Sequence, residues 1–402
     1  MKRDKKGILR WKKVGVRIQD HLIVPTFPTG LTRESFDGHL REYLSNIGCK
    51  KFSGEKPLWE VHLVKYPSSN VPCTVIFKCS HALGDGYSFI SVFFKCCKRA
   101  DKSSTPLTFP RLSLVKTQQP YDGNRVIGLG KKLLGLMRKC MNTSYVLMES
   151  LLRITILEDQ PSAIRSKTSE NMKIELFRPF NIHSVTLSLE RVKQVKTKLG
   201  AVMQLTLINS MTICVMLNMR IYKGFTNIED IREDAWGNHS SLLFIPLPTS
   251  TNVEEVNPLD LISKAKDAMD RKKNSMVFYL IDSLLSTAMW TKGQKGIDDM
   301  MYSSFKNATT LITSLIGPKE QMAFLDHPVS SFYYFVSGVP QSITFTSVSC
   351  MEQLKLVVTM EKSFIDSELF ISCMDEAFEN IFRAAFENYP GREGNEIKKK
   401  SN

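Results

Sequence analysis

The chain has 402 residues, of which 43% are apolar and 23% charged. That composition excludes a disordered chain and allows one large two-lobed unit or two to three domains. Lysine and arginine outnumber aspartate and glutamate by 54 to 40. Such a surplus suits anionic partners, whether a phosphate-bearing cofactor, anionic lipid or nucleic acid, without choosing among them.

The first residues, MKRDKKGILRWKK, lack the apolar core of a signal peptide. Ser35–Ile47 then puts Phe36, Leu40, Tyr43 and Leu44 on one helical face. Leu58–Tyr66 alternates as a strand, Pro67–Pro72 reads as a turn, and Cys73–Cys79 completes a hairpin. Helical spacing resumes over Tyr87–Lys98, through Phe89, Ile90, Val92 and Phe93. Ala100–Arg125, with Pro106, Pro110 and Pro120, is a crossover. Val126–Leu157 is a long amphipathic helix that sets Lys131, Lys132, Arg138 and Lys139 against Leu133, Leu134, Leu136 and Met137. A helix of that kind either lies on a membrane surface or packs, solvated, on its own protein. A polar linker covers Gln160–Phe180.

In the second half Ser184–Leu189 is a strand followed by a helix ending at Gly200, and Gln204–Ile221 is a further helix. Leu242–Leu247 is a short apolar strand. Asn257 and Pro258 form a cap and first-turn pair that opens a helix to Lys272. Ser275–Trp290 is the most apolar stretch, shorter than the roughly 18 uninterrupted apolar residues of a membrane span, and reads as a buried or interfacial helix. Ile343–Ser349 and Leu354–Met360 are strands, and Ser367–Tyr389 is a final amphipathic helix. The domains are therefore an N-terminal lobe over 1–125, a helix and crossover over 126–180, a C-terminal lobe over 181–392 and a basic tail over 393–402. The nine cysteines show no C-x-x-C or zinc-type spacing, so free and mostly buried thiols in a reducing compartment are expected.

One stretch concentrates chemistry. Cys79–Phe89 reads CSHALGDGYSF and lies where a strand gives way to a helix. Neutral imidazole accepts a proton near neutral pH, and a strand end holds it in place. Gly84 and Gly86 leave room beside His81 for a bulky substrate. Asp85 either fixes the turn, through backbone groups or an arginine, or orients the imidazole; the first is favoured. His81 itself is either a base or a hydrogen-bonded loop histidine, because H-x-x-x-D-G recurs by chance. No G-x-S-x-G elbow, P-loop, G-x-G-x-x-G or H-E-x-x-H is present. A base without a nucleophile suits direct transfer, in which a substrate hydroxyl attacks an activated carbonyl. Nucleic acid is not an expected partner, since the basic residues are dispersed and match no known motif.

Several blocks in order resemble the plant-type wax ester synthase/diacylglycerol acyltransferase family: DKKGILRWKKV at Asp4–Val14, DHLIVPTFP at Asp20–Pro28, KPLWEVHLVKYP at Lys56–Pro67, SHALGDGYS at Ser80–Ser88, PLTFP at Pro106–Pro110, NPLDLISKAKDAMDRKKNS at Asn257–Ser275 and IGPKEQMAFLDHPV at Ile316–Val329. The resemblance implies an α/β, two-lobed, chloramphenicol-acetyltransferase-like fold with mixed sheets and a channel between the lobes. It implies His81 as general base, Asp85 and Gly86 as the other fixed motif positions, and transfer of a long acyl chain to a fatty alcohol or diacylglycerol. Acyl-CoA is the expected co-substrate, with no bound cofactor and no metal. The expected location is the cytosolic face of the endoplasmic reticulum or plasma membrane, and Lys399 and Lys400 resemble a dilysine retrieval signal.

The chain departs from the family pattern at four places. Ser80 stands where the motif's first histidine would be. Gln204 and Leu205 replace an Asn-Asp pair, and Ser314 replaces an asparagine before the Gly-Pro block, where its hydroxyl is a candidate oxyanion donor. The opening strand and helix of the first lobe are expected to be missing, leaving an unpaired sheet edge. These departures motivate an alternative, an acyltransferase-like protein that binds lipid or acyl-CoA without efficient turnover. A soluble acyltransferase for small alcohols or amines is disfavoured by the lack of a D-F-G-W-G block.

Overall fold

The computed structural model describes residues 2–3, 9–10, 12–101, 104–109, 125–166, 176–198, 210–220, 236–248, 257–273 and 275–386. The first lobe begins with short strands β1 (Lys2–Arg3), β2 (Leu9–Arg10) and β3 (Leu22–Ile23). Helix α1 (Arg33–Cys49) follows, with Thr32 as its cap: Thr32 Oγ1 accepts from Ser35 N at 3.2 Å. Phe36, Leu40 and Leu44 recur every four residues and are buried. Strands β4 (Trp59–Val64) and β5 (Thr74–Cys79) pair antiparallel, and β3 joins β4 in parallel to make a three-stranded sheet. Among the described residues β5 pairs only with β4, so its outer edge is open. The chain continues into α2 (Gly86–Lys95), β6 (Cys97–Arg99) and the long α3 (Arg125–Thr155).

The second lobe holds β7 (Phe180–Ser188), α4 (Leu189–Lys198), β8 (Ser210–Asn218), β9 (Ser240–Pro248), α5 (Pro258–Lys273), α6 (Val277–Lys306), β10 (Thr310–Ile316), β11 (Met322–Phe324), β12 (His327–Pro328), β13 (Ile343–Cys350), β14 (Gln353–Glu361) and α7 (Ser367–Phe386). Its six-stranded sheet runs β7-β14-β13-β10-β8-β9. Strand β10 is parallel to β13 and β8, and the other pairs are antiparallel. The sheet is mixed, as the α/β reading requires.

Two seams join the lobes. Strand β6 pairs antiparallel with β11, Ala323 facing Lys98. Helix α1 packs Phe36, Leu40 and Leu44 against Phe180, Ile182 and Val357 of β7 and β14. Helix α2 belongs to the first lobe by sequence, yet it buries Ile90 and Phe94 with Leu315, Met322, Val348 and Cys350 of the second. The site-bearing helix is thus held by both halves of the molecule.

Three sequence expectations are corrected. Gln204–Ile221 is not a helix: Ser210–Asn218 is strand β8, and residues 201–209, with Gln204 and Leu205, lie outside the described set. Because β8 has a strand on each side, with Thr212, Ile213 and Cys214 all buried, its apolar run lacks the alternation that marks a half-exposed strand. Strand β7 starts at Phe180, earlier than Ser184. All nine cysteines are free, but only Cys97, Cys214 and Cys350 are buried. The crossover at 110–124 and the stretch 167–175 also lie outside the described residues.

Candidate active site at the lobe junction

Strand β5 ends at Cys79 and α2 begins at Gly86, so six residues turn the chain from sheet to helix. Ser80 N donates to Leu58 O at 2.9 Å, and Leu83 N donates to Ser80 O at 2.9 Å, closing a tight turn. Ser80 Oγ accepts from Ala82 N at 3.3 Å, so this hydroxyl supports the turn's backbone. His81 is exposed at its apex, and its carbonyl accepts from Asn238 Nδ2 at 2.8 Å.

Asp85 is the N-cap of α2 and is only 4% exposed. Its Oδ1 accepts from Ser88 N at 3.0 Å. Its Oδ2 accepts from Arg220 Nη1 at 2.7 Å and from His239 N at 2.9 Å. Arg220, 2% exposed, also donates through Nη2 to Ser88 Oγ and to Gly237 O, both at 2.9 Å. Burial pushes the Asp85 carboxyl up, but the Arg220 guanidinium and the His239 and Ser88 amides outweigh it and hold the carboxyl below its ordinary value. The pair is a buried, bonded carboxylate and guanidinium, each of which would be costly alone.

Further groups of the second lobe close on the same loop. Asp85 N donates to Gly237 O at 3.3 Å, and Trp236 Nε1 donates to Leu83 O at 2.8 Å. A Cβ on Gly86 would meet Leu315 Cδ1 at 3.3 Å, so glycine there lets the start of α2 approach β10. Four residues, Trp236, Gly237, Asn238 and His239, together with Arg220, form the counterpart that sequence reading missed. Each bonds through backbone atoms or over more than a hundred residues of separation, and no local pattern announces them.

Ser314 is exposed near the end of β10, beside the Leu315 that touches Gly86, and is in register with Ser347 of β13. No hydrogen bond links it to the His81 loop among the described residues. Strand alternation puts Leu315 and Ser314 on opposite faces of β10. The arrangement therefore offers an accessible imidazole on a loop fixed from two lobes, with its carboxylate neighbour committed to an arginine. Chemically it offers an exposed imidazole, a group able to accept a proton, with the backbone around it held by hydrogen bonds.

The two lobes, the mixed sheet and the H-x-x-x-D-G turn at their junction define a chloramphenicol-acetyltransferase-like acyltransferase fold. Residues 35–204 match the wax ester synthase/diacylglycerol acyltransferase catalytic domain, and residues 236–382 match the WS/DGAT C-terminal domain. The chain belongs to this family, whose members are acyltransferases. It is 25% identical to wax ester synthase/diacylglycerol acyltransferase 9 of Arabidopsis thaliana, over 94% of this chain and 84% of that protein. It is 24% identical to Arabidopsis thaliana wax ester synthase/diacylglycerol acyltransferase 2, over 90% of this chain and 79% of the relative. A solved structure, the wax ester synthase/diacylglycerol acyltransferase from Marinobacter aquaeolei VT8, superposes with a TM-score of 0.52 at 11% identity, covering 93% of this chain and 82% of that one.

Proposed function

We propose that the protein moves a long-chain acyl group from acyl-CoA to the hydroxyl of a fatty alcohol or diacylglycerol, giving a wax ester or a triacylglycerol. His81 takes the hydroxyl proton as the oxygen attacks the thioester carbonyl. The carbon–sulfur bond then breaks, and the CoA thiolate recovers the proton from the imidazolium. Ser314 is the candidate donor to the developing oxyanion, and Ser80 holds the turn where the motif's first histidine would stand. Acyl-CoA enters as co-substrate, which agrees with the chain's positive charge of +14. The cytosolic face of the endoplasmic reticulum belongs to this reading, because both substrates are lipids.

The observation that carries the proposal is the exposed His81 on a loop clamped by Asp85, Arg220 and the 236–239 segment. Expression in a host that makes no neutral lipid, followed by lipid extraction, tests it. Wax ester or triacylglycerol should accumulate with the wild-type chain. Its absence, with acyl-CoA still bound by the purified protein, would favour the alternative of a lipid-binding, catalytically impaired family member. Ser80 and Ser314 in place of family side chains motivate that second reading.

A further inference from the structure

Helix α3 is apolar on the side that turns away from the protein. Its inner face is polar and apolar in turn: Val146, Ser150 and Arg153 are buried against the second lobe. On the opposite side Leu134 is 69% exposed, Met141 72% and Met148 62%, with Leu133, Met137 and Tyr145 also in water. These positions recur every three or four residues, so they form one stripe. Isolated exposed apolar residues are ordinary, but a continuous stripe is not.

Charge decides what covers it. From Arg125 to Met148 the helix carries Arg125, Lys131, Lys132, Arg138 and Lys139 and no acidic residue; the first is Glu149. An apolar stripe on such a basic segment fits an anionic phospholipid surface, with methionine and leucine among the acyl chains and the cations at the head groups. A second copy of the chain would bring a like-charged segment against it, which disfavours self-association. No helix among the described residues is long and apolar enough to cross a membrane, so α3 would lie on the surface rather than span it.

We propose that the outer face of α3 docks the protein on an anionic phospholipid bilayer. The inner face of the same helix packs on Leu243 and Ile245 of β9, the strand that follows His239. Docking would therefore hold the lobe junction beside the lipid phase. The inference goes beyond the acyl-transfer reading and is measured without turnover, so either can fail alone.

The test is flotation of the full chain with vesicles of phosphatidylcholine, alone or with about one third phosphatidylserine. The wild type should float with the anionic vesicles about tenfold more than with the neutral ones. The triple variant Leu134→Glu, Met141→Glu, Met148→Glu should lose about tenfold or more of that binding, and so should Arg138→Glu with Lys139→Glu. All five side chains are exposed, so Tm should stay within a degree or two. Wild-type protein that stays off anionic vesicles, or folded variants that float like it, would overturn the proposal. So would a wild-type dimer that the triple variant turns into a monomer, since the stripe would then be a subunit interface.

Discussion

Asp85 does structural work four residues from His81. The carboxylate faces Arg220, His239 N and Ser88 N, and so it fixes the loop that carries His81. Its folded pKa is lowered. A lowered carboxylate pKa adds stability that is fully present above the unfolded value of about 4 and is lost as pH falls through the folded value. Asp85→Asn removes that contribution and leaves Arg220 buried without its anion, at a cost of about 3–5 kcal/mol at pH 7. In urea unfolding the wild type should exceed the variant most at neutral pH, and the gap should narrow toward pH 3. A gap that is constant with pH would mean that Asp85 is not held as a carboxylate by Arg220.

At the scale of elements, α3 and α5 are tied by a buried charge cluster. Lys272 Nζ lies 3.1 Å from Glu149 Oε2 and 3.3 Å from Ser150 Oγ, and Arg153 Nε lies 3.3 Å from Glu149 Oε1. Burial lowers the Lys272 pKa and the Glu149 charge opposes that fall. Glu149→Gln strips the anion from two cations, whereas Lys272→Met leaves Glu149 with Arg153. The first should cost about 3–5 kcal/mol and the second clearly less, read as shifts in the urea midpoint. Equal costs would contradict the three-membered arrangement. The elements also show what the sequence made legible. Helix α1, the β4–β5 hairpin and α5 have clean periods or caps, and strands β13 and β14 carry β-branched residues. Place in the sheet does not separate these cases, since β8, β10, β13 and β14 all have neighbours on both sides; β8 reads as helix because Thr212, Ile213 and Cys214 are buried in succession, and in TLITSLI of β10 apolar and polar residues do not alternate. At the site, the histidine and the glycine-flanked aspartate are visible as a local pattern. Arg220, 135 residues from Asp85, is not, because its role is fixed only when β8 brings it to α2.

Across the whole molecule, the first lobe supplies the imidazole and the second supplies the clamp. The β6–β11 ladder and the α1–β7 contacts fix the lobes to each other. Glu320 adds a polar tie, accepting from Thr108 N at 2.8 Å and facing Arg99 at 3.5 Å. The exposed His81 stands at that junction, and α3 packs on β9 of the lobe that carries the clamp. The central claim is that the His81 imidazole, and not merely the loop that carries it, moves the proton. Its most direct test is the rate of CoA release by purified wild type and His81→Ala, given a long-chain acyl-CoA and a fatty alcohol. The variant should keep its Tm and its acyl-CoA affinity while the rate falls about 100-fold or more. A folded variant that releases CoA within twofold of the wild-type rate would contradict the account.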